Sequence, residues 1–570
     1  MQIENLITEH IETWTSAVKK KNATGRGSSK KIELYGIKKL RELILELAVR
    51  GKLVPQDASE EPASVLLDRI AEERALLIKN KTIKKPKTLG DISIKELPFV
   101  LPLGWQWAHN IELFTLTKGK KPKELSDTLS KFPYLDIEAL DRHNIRKYTN
   151  DEKCPMSKEN DLLVVCDGSR SGLILNGKIG VIGSTIARID TYKSVKNYIQ
   201  LYFKQAFTRL NSSMKGAAIP HLDTKQLRED FLALPPLNEQ HRIVAKVDEL
   251  MLLCDQLEQQ TESSIDAHKT LVEVLLNTLT DAKDATELQT NWARVSAFFD
   301  TLFTTEHSID QLKQTILQLA VMGKLVPQDP SDEPVSELID KIYKEQFSRK
   351  LNSKEKLAVE NEYEYARNTI INNRVLVKAR FICDFITKGT TPSKPELLDD
   401  GAVPFLKVYN IVKNTLDFAY KPIFISKDTH TGKLNRSRVF PGDVIMNIVG
   451  PPLGKVAIIS NEYPEWNMNQ ALAVFRPLAG INSQYLYFIL PTDSILSSVL
   501  NEVKGTAGQD NLSLEQCRDL QIPIPSINEQ NRIVSKVKEL MAICDQLKSQ
   551  LNQAQQTQLN LTDAIIDKAV

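Results

Sequence analysis

Apolar residues along the chain follow two different spacings. Near Leu40, Leu312, Ile243 and Ile533 they recur every three or four positions, which is the spacing of one face of an α-helix. Elsewhere, short β-branched runs are separated by Gly, Pro, Asn and Asp, which is typical of strands joined by turns. The strand-like runs include Asp161–Cys166, Lys178–Ile182, Asp443–Val449 and Lys455–Ile459. This alternation predicts helical regions around two β-rich domains.

Two passages in the helical regions each occur twice. The sequence L-A-V-R-G-K-L-V-P-Q-D at 47–57 returns with one change at 319–329, an offset of 319 − 47 = 272. The sequence N-E-Q-H-R-I-V at 238–244 returns with one change at 528–534, an offset of 528 − 238 = 290. The sequence between these passages does not repeat at this level and is longer in its second copy. This indicates two similar modules in tandem whose surfaces have diverged.

The first repeated passage predicts a helical hairpin. In each copy a helical stretch ends at a glycine, Gly51 or Gly323, and a proline follows, Pro55 or Pro327. Both residue types are common just beyond the end of a helix. A second helix is predicted after each turn, over Ala63–Lys79 and from Val335 to about Glu362.

The second repeated passage predicts the start of a long helix. Asn238 and Asn528 are predicted N-cap residues, and Glu239 and Glu529 lie in the first turn, where the helix dipole favours a negative charge. Apolar residues then follow at alternating intervals of four and three, which indicates a coiled-coil seam. In the first copy the predicted seam is Ile243, Val247, Leu250, Cys254 and Leu257; it weakens at Thr261, Ser264 and His268 and resumes with Leu271 and Leu275. In the second copy it is Ile533, Val537, Leu540, Cys544, Leu547, Leu551 and Ala554. A helix of about 40 residues would be roughly 60 Å long, which suits a rigid spacer.

These patterns divide the chain into five segments. The segments are an N-terminal helical region at 1–90, a β-rich domain at 91–235, a central helical spacer region at 236–374, a second β-rich domain at 375–522 and a C-terminal helical spacer at 523–570. The predicted class is α+β, with two β-rich α/β domains separated and flanked by long antiparallel coiled-coil helices. The duplication predicts an internal pseudo-twofold repeat.

Composition adds few restrictions. The six cysteines include no C-x-x-C pair, so we expect neither a zinc site nor a disulfide framework. No apolar stretch approaches the length of a membrane span, and together with the cysteine usage this predicts a cytoplasmic protein. The 74 Lys and Arg nearly balance 72 Asp and Glu, and a net charge of +2 excludes no class of partner.

Several enzyme motifs are missing from the sequence. It contains no G-x-x-x-x-G-K-[ST] loop and no H-E-x-x-H helix. The run Gly450-Pro451-Pro452-Leu453 lacks the polar and the aromatic member of the motif used by amino-methyltransferases. These absences favour a chain that is not catalytic.

The order of the repeated motifs resembles that of a known family. Two variable β-rich domains are each followed by a proline-rich entry and an N-E-Q-x-R-I-V helix, and an L-A-V-x-G-K-L-V-P-Q-D hairpin precedes each of them. This arrangement resembles the specificity subunit of type I restriction-modification systems. The resemblance covers essentially the whole chain and depends on order, duplication and spacing, because each motif alone is short.

The resemblance implies a DNA-recognition subunit that uses no cofactor itself. Each β-rich domain would be a target-recognition domain that binds one half of a split, asymmetric site on double-stranded DNA. The helices would set the separation of the half-sites and dock two methyltransferase (modification) subunits, and restriction (motor and nuclease) subunits would join them. Those partners would use S-adenosylmethionine, ATP and Mg²⁺ for adenine methylation and ATP-dependent cleavage. The N-terminal helices would pair with the C-terminal helix.

Candidate DNA contacts lie in the loops of both β-rich domains. Lysine and hydroxyl groups suit phosphate oxygens, arginine suits guanine and asparagine suits adenine. In the first domain the candidates are Lys118, Lys120, Lys121, Arg142, Arg146, Lys147, Tyr148, Ser169, Arg170, Lys215 and His221. In the second they are Lys388, Thr390, Thr391, Lys407, Tyr409, Asn410, Asn447, Lys455, Lys504 and Gln509. Gly119 would allow the backbone to approach a phosphate closely.

Both the candidates and the function have an alternative interpretation. The basic loops also fit ordinary solvated turns. The whole chain also fits a coiled-coil scaffold that binds proteins through its globular domains without DNA readout. The scaffold explains the heptads equally well, but it does not explain why the two domains diverge mainly at basic and glycine-containing loops.

Overall fold

The computed structural model describes residues 3–20, 32–83, 85, 89, 97–212, 221–450, 452–500 and 511–570. The chain divides into two compact units, one made of residues 1–264 and 553–570 and the other of residues 265–552. Each unit has its own hydrophobic core, in which helices pack against a β-rich domain.

Unit 1 starts with helices and continues into the first β-rich domain. Its helices are α1 (Ile3–Glu9), α2 (Ile11–Ser16), α3 (Tyr35–Val49), α4 (Ala63–Lys79), α5 (Asn110–Leu113), α6 (Ile137–Asp141), α7 (Lys196–Ser212), α8 (Thr224–Glu229) and the first part of α9 (Leu237–Asp281). Its strands are β1 (Lys19–Lys20), β2 (Ile32–Glu33), β3 (Gln106–His109), β4 (Phe114–Lys118), β5 (Phe132–Leu135), β6 (Tyr148–Thr149), β7 (Met156–Ser157), β8 (Leu162–Val165), β9 (Ile174–Asn176), β10 (Gly180–Ile182), β11 (Ile186–Thr191) and β12 (Phe231–Leu234). Strands β3–β12 with helices α5–α8 are the first β domain.

Unit 2 has the same order of parts. Its helices, after the second part of α9, are α10 (Ala285–Ala297), α11 (Phe299–Leu302), α12 (Glu306–Met322), α13 (Val335–Phe347), α14 (Ser353–Asn368), α15 (Ala379–Ile382), α16 (Lys427–Thr431), α17 (Ser483–Ile489), α18 (Asp493–Leu500), α19 (Leu514–Asp519) and most of α20 (Ile527–Ala569). Its strands are β13 (Arg374–Lys378), β14 (Cys383–Lys388), β15 (Val403–Leu406), β16 (Ile411–Val412), β17 (Thr415–Leu416), β18 (Phe424–Ile425), β19 (Arg438–Val439), β20 (Val444–Asn447), β21 (Val456–Ile458), β22 (Trp466–Met468), β23 (Leu472–Pro477) and β24 (Gln521–Pro525). Strands β13–β24 with helices α15–α19 are the second β domain.

The two β domains share one strand order. In the first, β4-β11-β8-β9 form one sheet, β6-β5-β10-β7 form another, and β3 pairs with β12. In the second, the sheets are β14-β23-β20-β21 and β18-β15-β22-β19, and β13 pairs with β24. In each domain the middle pair of the second sheet is parallel. The repeat predicted from the helical motifs therefore extends through the β domains, although their sequences differ.

Equivalent strands keep their pattern while the connections change length. Counted from first residues, the offset is 403 − 132 = 271 between β15 and β5, 438 − 156 = 282 between β19 and β7, and 521 − 231 = 290 between β24 and β12. One gain includes the hairpin of β16 and β17, whose turn residues Lys413 and Asn414 have φ of 51° and 57°. The differences in length therefore lie between the strands, in the loops.

In unit 1 the two repeated passages contact each other. Gln56 of the hairpin turn donates a hydrogen bond to Oε1 of Glu239 at 2.6 Å. Arg242 donates to the carbonyl of Pro55 at 3.2 Å and forms an ion pair with Glu60. The passages were therefore duplicated as the two halves of one packing contact, which we call the junction.

The junction of unit 2 keeps an arginine and an acidic partner at the same positions but differs in other side chains. Arg532 forms a bidentate ion pair with Asp332, at 2.8 and 2.7 Å, and Ser526 donates to the same carboxylate at 3.1 Å. Arg374 pairs with Glu529, which is 1% exposed. In unit 1 the position of this arginine is occupied by Trp105, as the register of β3 and β13 shows when it is extended by one residue.

Glycines of the repeated turns make room at each junction. Gly51 and Gly323 have φ of 67° and 70°, a conformation that side-chain-bearing residues rarely adopt. A Cβ on Gly51 would lie 2.8 Å from Cζ2 of Trp105, and a Cβ on Gly323 would overlap the guanidinium of Arg374 at 0.6 Å. The glycine is therefore needed for its backbone conformation and for the side chain beside it.

The long helices confirm the predicted seam in part. Ile243, Val247, Leu250, Cys254 and Leu257 are all buried. In the second copy Ile533, Val537 and Cys544 are buried, Leu540, Leu547 and Leu551 are half-buried, and Ala554 is exposed.

The predicted continuation of the first seam is wrong. Leu271 is 49% exposed and Leu275 is half-buried, whereas Val272 and Leu276 are buried in the core of unit 2. The helix has 45 residues, and a straight helix drifts relative to a strict heptad. Beyond Leu257 the buried face therefore falls on neighbouring positions.

The predicted N-caps are also wrong. Helices α9 and α20 begin at Leu237 and Ile527, so Asn238 and Asn528 lie within the first turn. Ser526 precedes α20 and its Oγ accepts from the backbone N–H of Glu529 at 3.2 Å, which is the geometry of an N-cap.

The single helix predicted from Val335 to about Glu362 is two helices, α13 and α14. Asn352 caps α14, and its side chain exchanges hydrogen bonds with Glu355 in a capping box. The rings of Tyr343 and Tyr363 stack at 4.1 Å, so α13 and α14 pack against each other. The other predicted hairpin helix, α4, has the bounds expected from the sequence.

Equivalent ion pairs link each hairpin helix to a long helix. Arg41 of α3 pairs with Asp255 of α9 at 2.7 Å, and Lys313 of α12 pairs with Asp545 of α20. In unit 1, Oη of Tyr35 also donates to Asp563 at 2.8 Å. The N-terminal helices therefore contact the end of α20, as expected.

The six cysteines are buried and unpaired. Burial raises the pKa of the Cys166 and Cys254 thiols to about 11 and that of Cys517 to about 12. Within the described residues, no three His, Cys, Asp or Glu side chains are grouped to hold a metal ion. No helix in that part of the chain has both the length and the apolar character needed to cross a bilayer.

Candidate nucleic-acid interface

Three segments meet at one edge of the first β domain. The N–H groups of Gly119 and Cys166 donate to neighbouring carbonyls where β11 begins, at 2.9 and 2.8 Å. Asp167 pairs with His221 in an isolated antiparallel bridge, and its carboxylate accepts from Nδ1 of His221 at 2.7 Å. Nζ of Lys118 lies 3.2 Å from the other carboxylate oxygen. The structure thus brings together Lys118 and His221, two predicted contacts that are distant in sequence.

The second β domain has the same edge. The N–H groups of Gly389 and Ile448 donate to the carbonyls of adjacent residues where β23 begins, at 3.0 and 2.9 Å. Val449 and Asn511 form the bridge equivalent to that of the first domain. Oδ1 of Asn511 accepts from the N–H of Gly450 at 3.2 Å. The backbone frame is therefore shared, while the side chains on it differ.

Most of the predicted phosphate contacts at the two edges are exposed. Lys120, Lys121 and Lys388 are exposed, as is Thr391, while Thr390 is half-buried. The glycine beside each set has a different purpose from the one expected. A Cβ on Gly119 would lie 2.1 Å from the carbonyl oxygen of a residue that follows β10, and Gly389 is equally close to the backbone after β22. Each glycine therefore allows close packing within the domain.

The connection between β5 and β6 presents a second group of predicted contacts. Arg142, Arg146 and Lys147 are exposed and Tyr148 is half-buried. Arg146 forms an ion pair with Glu138 at 2.7 Å. This connection has 12 residues, between Leu135 and Tyr148, whereas the equivalent one between Leu406 and Phe424 has 17.

The loop after β8 places Ser169 and Arg170 at the surface. Arg170 forms a bidentate pair with Asp141, at 2.6 and 3.1 Å. This hydrogen-bonded guanidinium holds the pKa of the Asp141 carboxyl below its usual value, and the pKa of Arg170 is raised in turn. A guanidinium held in this way has a fixed orientation, and a contact between Arg170 and DNA would require it to share or leave the Asp141 carboxylate.

Two predicted contacts of the second domain are corrected by their burial. Asn410 is 1% exposed, and its amide donates to the carbonyls of Asp417 and Tyr420 while its Oδ1 accepts from the N–H of Lys407. Asn447 is 2% exposed and donates to the carbonyl of Pro452 at 2.8 Å. Both amides hold loops in place, so neither is available to bind a base.

Three further predicted contacts of the second domain are close to Asn410 or Asn447 in the sequence. Lys407, Tyr409 and Lys455 are half-buried. Oη of Tyr409 donates to the carbonyl of Lys421 at 3.3 Å. Lys215, Lys504 and Gln509 were also predicted to contact DNA, and they lie outside the described residues. For all of these, DNA contact stays a prediction.

Several exposed groups beside these loops were not among the predicted contacts. Lys413 is at the tip of the extra hairpin of β16 and β17, and Asn414 fixes that hairpin by accepting from the N–H of Val456 at 3.1 Å. Lys421 lies 5.2 Å over the ring of Tyr420. A two-residue Lys-Asn turn with positive φ at both positions is a hairpin signal, since asparagine tolerates that conformation.

The comparisons with known proteins agree with one another. The sequence model of the family described as "Type I restriction modification DNA specificity domain" matches residues 102–267 and 375–554. The chain is 37% identical to the "Type I restriction enzyme EcoEI specificity subunit" of Escherichia coli, over the whole length of both chains. It is also 37% identical to the "Type I restriction enzyme EcoAI specificity subunit" of Escherichia coli, over the whole length of both.

The chain belongs to the family of type I restriction-modification DNA specificity subunits. This confirms the resemblance found in the sequence. The specificity subunit has two target-recognition domains, which are the two β domains, and the expected fold class is confirmed. It is a recognition subunit and not a catalytic one. The alternative of a scaffold without DNA readout is not supported.

A chain of one solved structure is also similar to this specificity subunit. That structure is described as "Structural basis underlying complex assembly and conformational transition of the type I R-M system". The sequences are 17% identical, with a TM-score of 0.49, and the match covers 83% of this chain and 99% of that one.

Proposed function

We propose that the specificity subunit binds one DNA duplex with both β domains, each contacting one half of a split, asymmetric site. The observation that carries this proposal is the shared strand frame with unlike loops at the same edge. Two domains with one frame can present the same face to DNA, and different side chains on that face can select different sequences.

Binding combines phosphate contacts with base contacts. Lys120, Lys121 and Lys388 are exposed at the edge where the three segments meet, which suits phosphate contact. In this proposal, side chains on the loops after β8 and β20 contact bases. Phosphate contacts release counterions, so the logarithm of the binding constant should fall linearly with the logarithm of the salt concentration.

Helices α9 and α20 set the separation of the two half-sites. They contain 45 and 43 residues, and each contributes buried side chains to the cores of both units. A 45-residue helix is roughly 68 Å long at 1.5 Å per residue, and half-sites one helical turn of DNA apart are about 34 Å apart. The helices are therefore long enough to act as the spacer.

The subunit works in a cytoplasmic complex with two modification subunits and with restriction subunits. The relatives it resembles are named as subunits of type I restriction enzymes, which supports an assembly of this kind. The duplicated units would offer two equivalent docking positions. S-adenosylmethionine, ATP and Mg²⁺ belong to the partners in this proposal.

The proposal is tested with the subunit in complex with its modification partner. Lys388→Ala should weaken specific binding, reduce the slope of log K against log salt by about one, and relax recognition of one half-site only. Lys118→Ala should act in the same way on the other half-site. Lys354→Ala in α14 removes the same charge outside both β domains and serves as the control. Equal loss of discrimination at both half-sites in either variant contradicts the proposal.

A further inference from the structure

We propose that residues 167 and 221 of the first β domain, and the equivalent residues 449 and 511 of the second, determine which base each domain prefers at one position of its half-site. This inference rests on the proposed function and names the residues that carry it. It further assigns a base chemistry to each pair.

The two pairs occupy one position in a shared frame. In each domain the residues form an isolated antiparallel bridge, Asp167 with His221 and Val449 with Asn511. The next residue along adds the same backbone hydrogen bond, at 2.8 Å in the first domain and 3.0 Å in the second. The backbone alone therefore closes the edge in both domains, and the side chains at these positions are free to differ.

The first pair has the chemistry of a hydrogen-bond acceptor. The Asp167 carboxylate is 18% exposed and holds His221 and Lys118, each by one oxygen. Nδ1 of His221 lies 2.7 Å from the carboxylate oxygen, and in the tautomer that donates this hydrogen bond Nε2 is an acceptor. Carboxylate and ring nitrogen both accept from an exocyclic amino group. In the major groove cytosine and adenine present such groups, so the first domain prefers one of them here.

The second pair combines an apolar group with a hydrogen-bond donor. Val449 is 40% exposed, so its methyl groups are accessible to a ligand. Oδ1 of Asn511 is occupied by the N–H of Gly450, so its Nδ2 is the group left for a ligand. Thymine presents a methyl group next to the O4 acceptor in the major groove. An exposed valine and an amide donor match both features, so the second domain prefers thymine.

Charge separates the two pairs further. Asp167 places a carboxylate at the edge of the first domain, between two nitrogen groups that reduce its repulsion from DNA phosphates. Val449 replaces that carboxylate in the second domain. A carboxylate disfavours bases that present only acceptors, and a valine disfavours bases that present only polar groups. Each pair therefore rejects the base chosen by the other.

The test exchanges the pairs in the subunit bound to its modification partner. Competitive binding is measured on DNA in which one half-site at a time carries every base pair at each position. The double variant Asp167→Val, His221→Asn should shift preference at one position of the first half-site towards thymine by about 10-fold or more, with the other half-site unchanged. Val449→Asp with Asn511→His should shift one position of the second half-site towards cytosine or adenine. Asp127→Val changes an exposed carboxylate of the first domain outside the pair and should shift neither.

The outcomes separate this inference from the proposed function. Unchanged base preference in an exchange variant that still binds its site overturns the inference, and the proposal that each domain binds one half-site still holds. Failure of the unmodified complex to discriminate between half-site variants would instead overturn the proposed function. Milder variants, Asp167→Asn and Val449→Ala, cover the case in which an exchange variant does not fold. Each should reduce the preference at its own position about 5-fold or more, and an unaltered preference in both also overturns the inference.

Discussion

Glu239 and Glu529 occupy the same repeat position, yet replacing each with glutamine should have opposite effects. Both carboxylates are 1% exposed. Glu239 accepts from two neutral donors, Nε1 of Trp105 at 2.9 Å and Nε2 of Gln56 at 2.6 Å. Glu529 instead pairs with the guanidinium of Arg374. The perturbation is thus identical, and only its electrostatic surroundings differ.

Glu529→Gln should destabilise unit 2 by about 2–3 kcal/mol. Removing one partner of a buried ion pair costs about 3–5 kcal/mol, because the other charge stays buried without compensation. Glutamine keeps one acceptor for the arginine, which reduces the expected effect to just below that range. Burial already lowers the pKa of Arg374, so its charged form depends on nearby acceptors.

Glu239→Gln should leave the stability of unit 1 at pH 7 within about 1 kcal/mol of the original or raise it slightly. Burial raises the pKa of the Glu239 carboxyl, and the hydrogen bonds from Trp105 and Gln56 offset this only in part. The stability that this carboxyl contributes is complete below its unfolded pKa and is lost as the pH rises through its higher folded pKa. The variant should therefore gain stability relative to the original protein as the pH rises from about 4.5. Rotation of the Gln56 amide restores a hydrogen bond to the new side chain.

Hydrogen exchange measured by mass spectrometry resolves the two effects in one experiment. Peptides at the start of α9 report on unit 1, and peptides at the start of α20 report on unit 2. We expect faster exchange only at α20 in Glu529→Gln, and unchanged or slower exchange at α9 in Glu239→Gln. Destabilisation of both helices by similar amounts, or a pH dependence of the opposite sign at α9, would refute the electrostatic reasoning.

Three further predictions concern the loops and the spacer. Gly323→Ala should lower the free energy of unfolding by more than the strain of a left-handed alanine, which is about 1–2 kcal/mol, because Arg374 must also move. Gly442→Ala places no atom within 4 Å of its new Cβ and should show that strain alone. Equal loss of stability in thermal unfolding of the two variants would contradict this. Asn410→Ala should lower the free energy of unfolding by about 1–3 kcal/mol and leave the base preference of the folded protein unchanged. An altered base preference without loss of stability would show that Asn410 contacts a base. Adding a few residues to α9 should change the gap tolerated between half-sites in binding assays, and an unchanged gap would remove the helix from this role.

Much of the fold could be predicted from the sequence because local signals and tertiary packing agree there. The glycine and proline after each hairpin helix define its end, and Ala63–Lys79 has the bounds expected. The heptad from Ile243 to Leu257 is buried as predicted. In these places the apolar face, the capping residues and the tertiary contacts all require the same structure.

The failures occur where a partner distant in sequence decides the outcome. The buried face shifts to Val272 because the helix enters the core of unit 2, which no local heptad specifies. Asn410 resembles a base contact in sequence, but carbonyls seven and ten residues ahead occupy its amide. Asp167 was not among the predicted contacts, because its environment depends on Lys118 and His221, which only the strand order brings together.

The burial of all six thiols makes the chain suitable for single-site labelling. Every cysteine is packed inside a unit, and burial keeps Cys166 and Cys517 protonated well above neutral pH. A maleimide dye should therefore not react with the six native cysteines, and should attach only where a cysteine is introduced at the surface. Fluorophores at Lys121→Cys and Lys413→Cys, one on each β domain, would report by energy transfer whether the two domains approach each other when DNA binds.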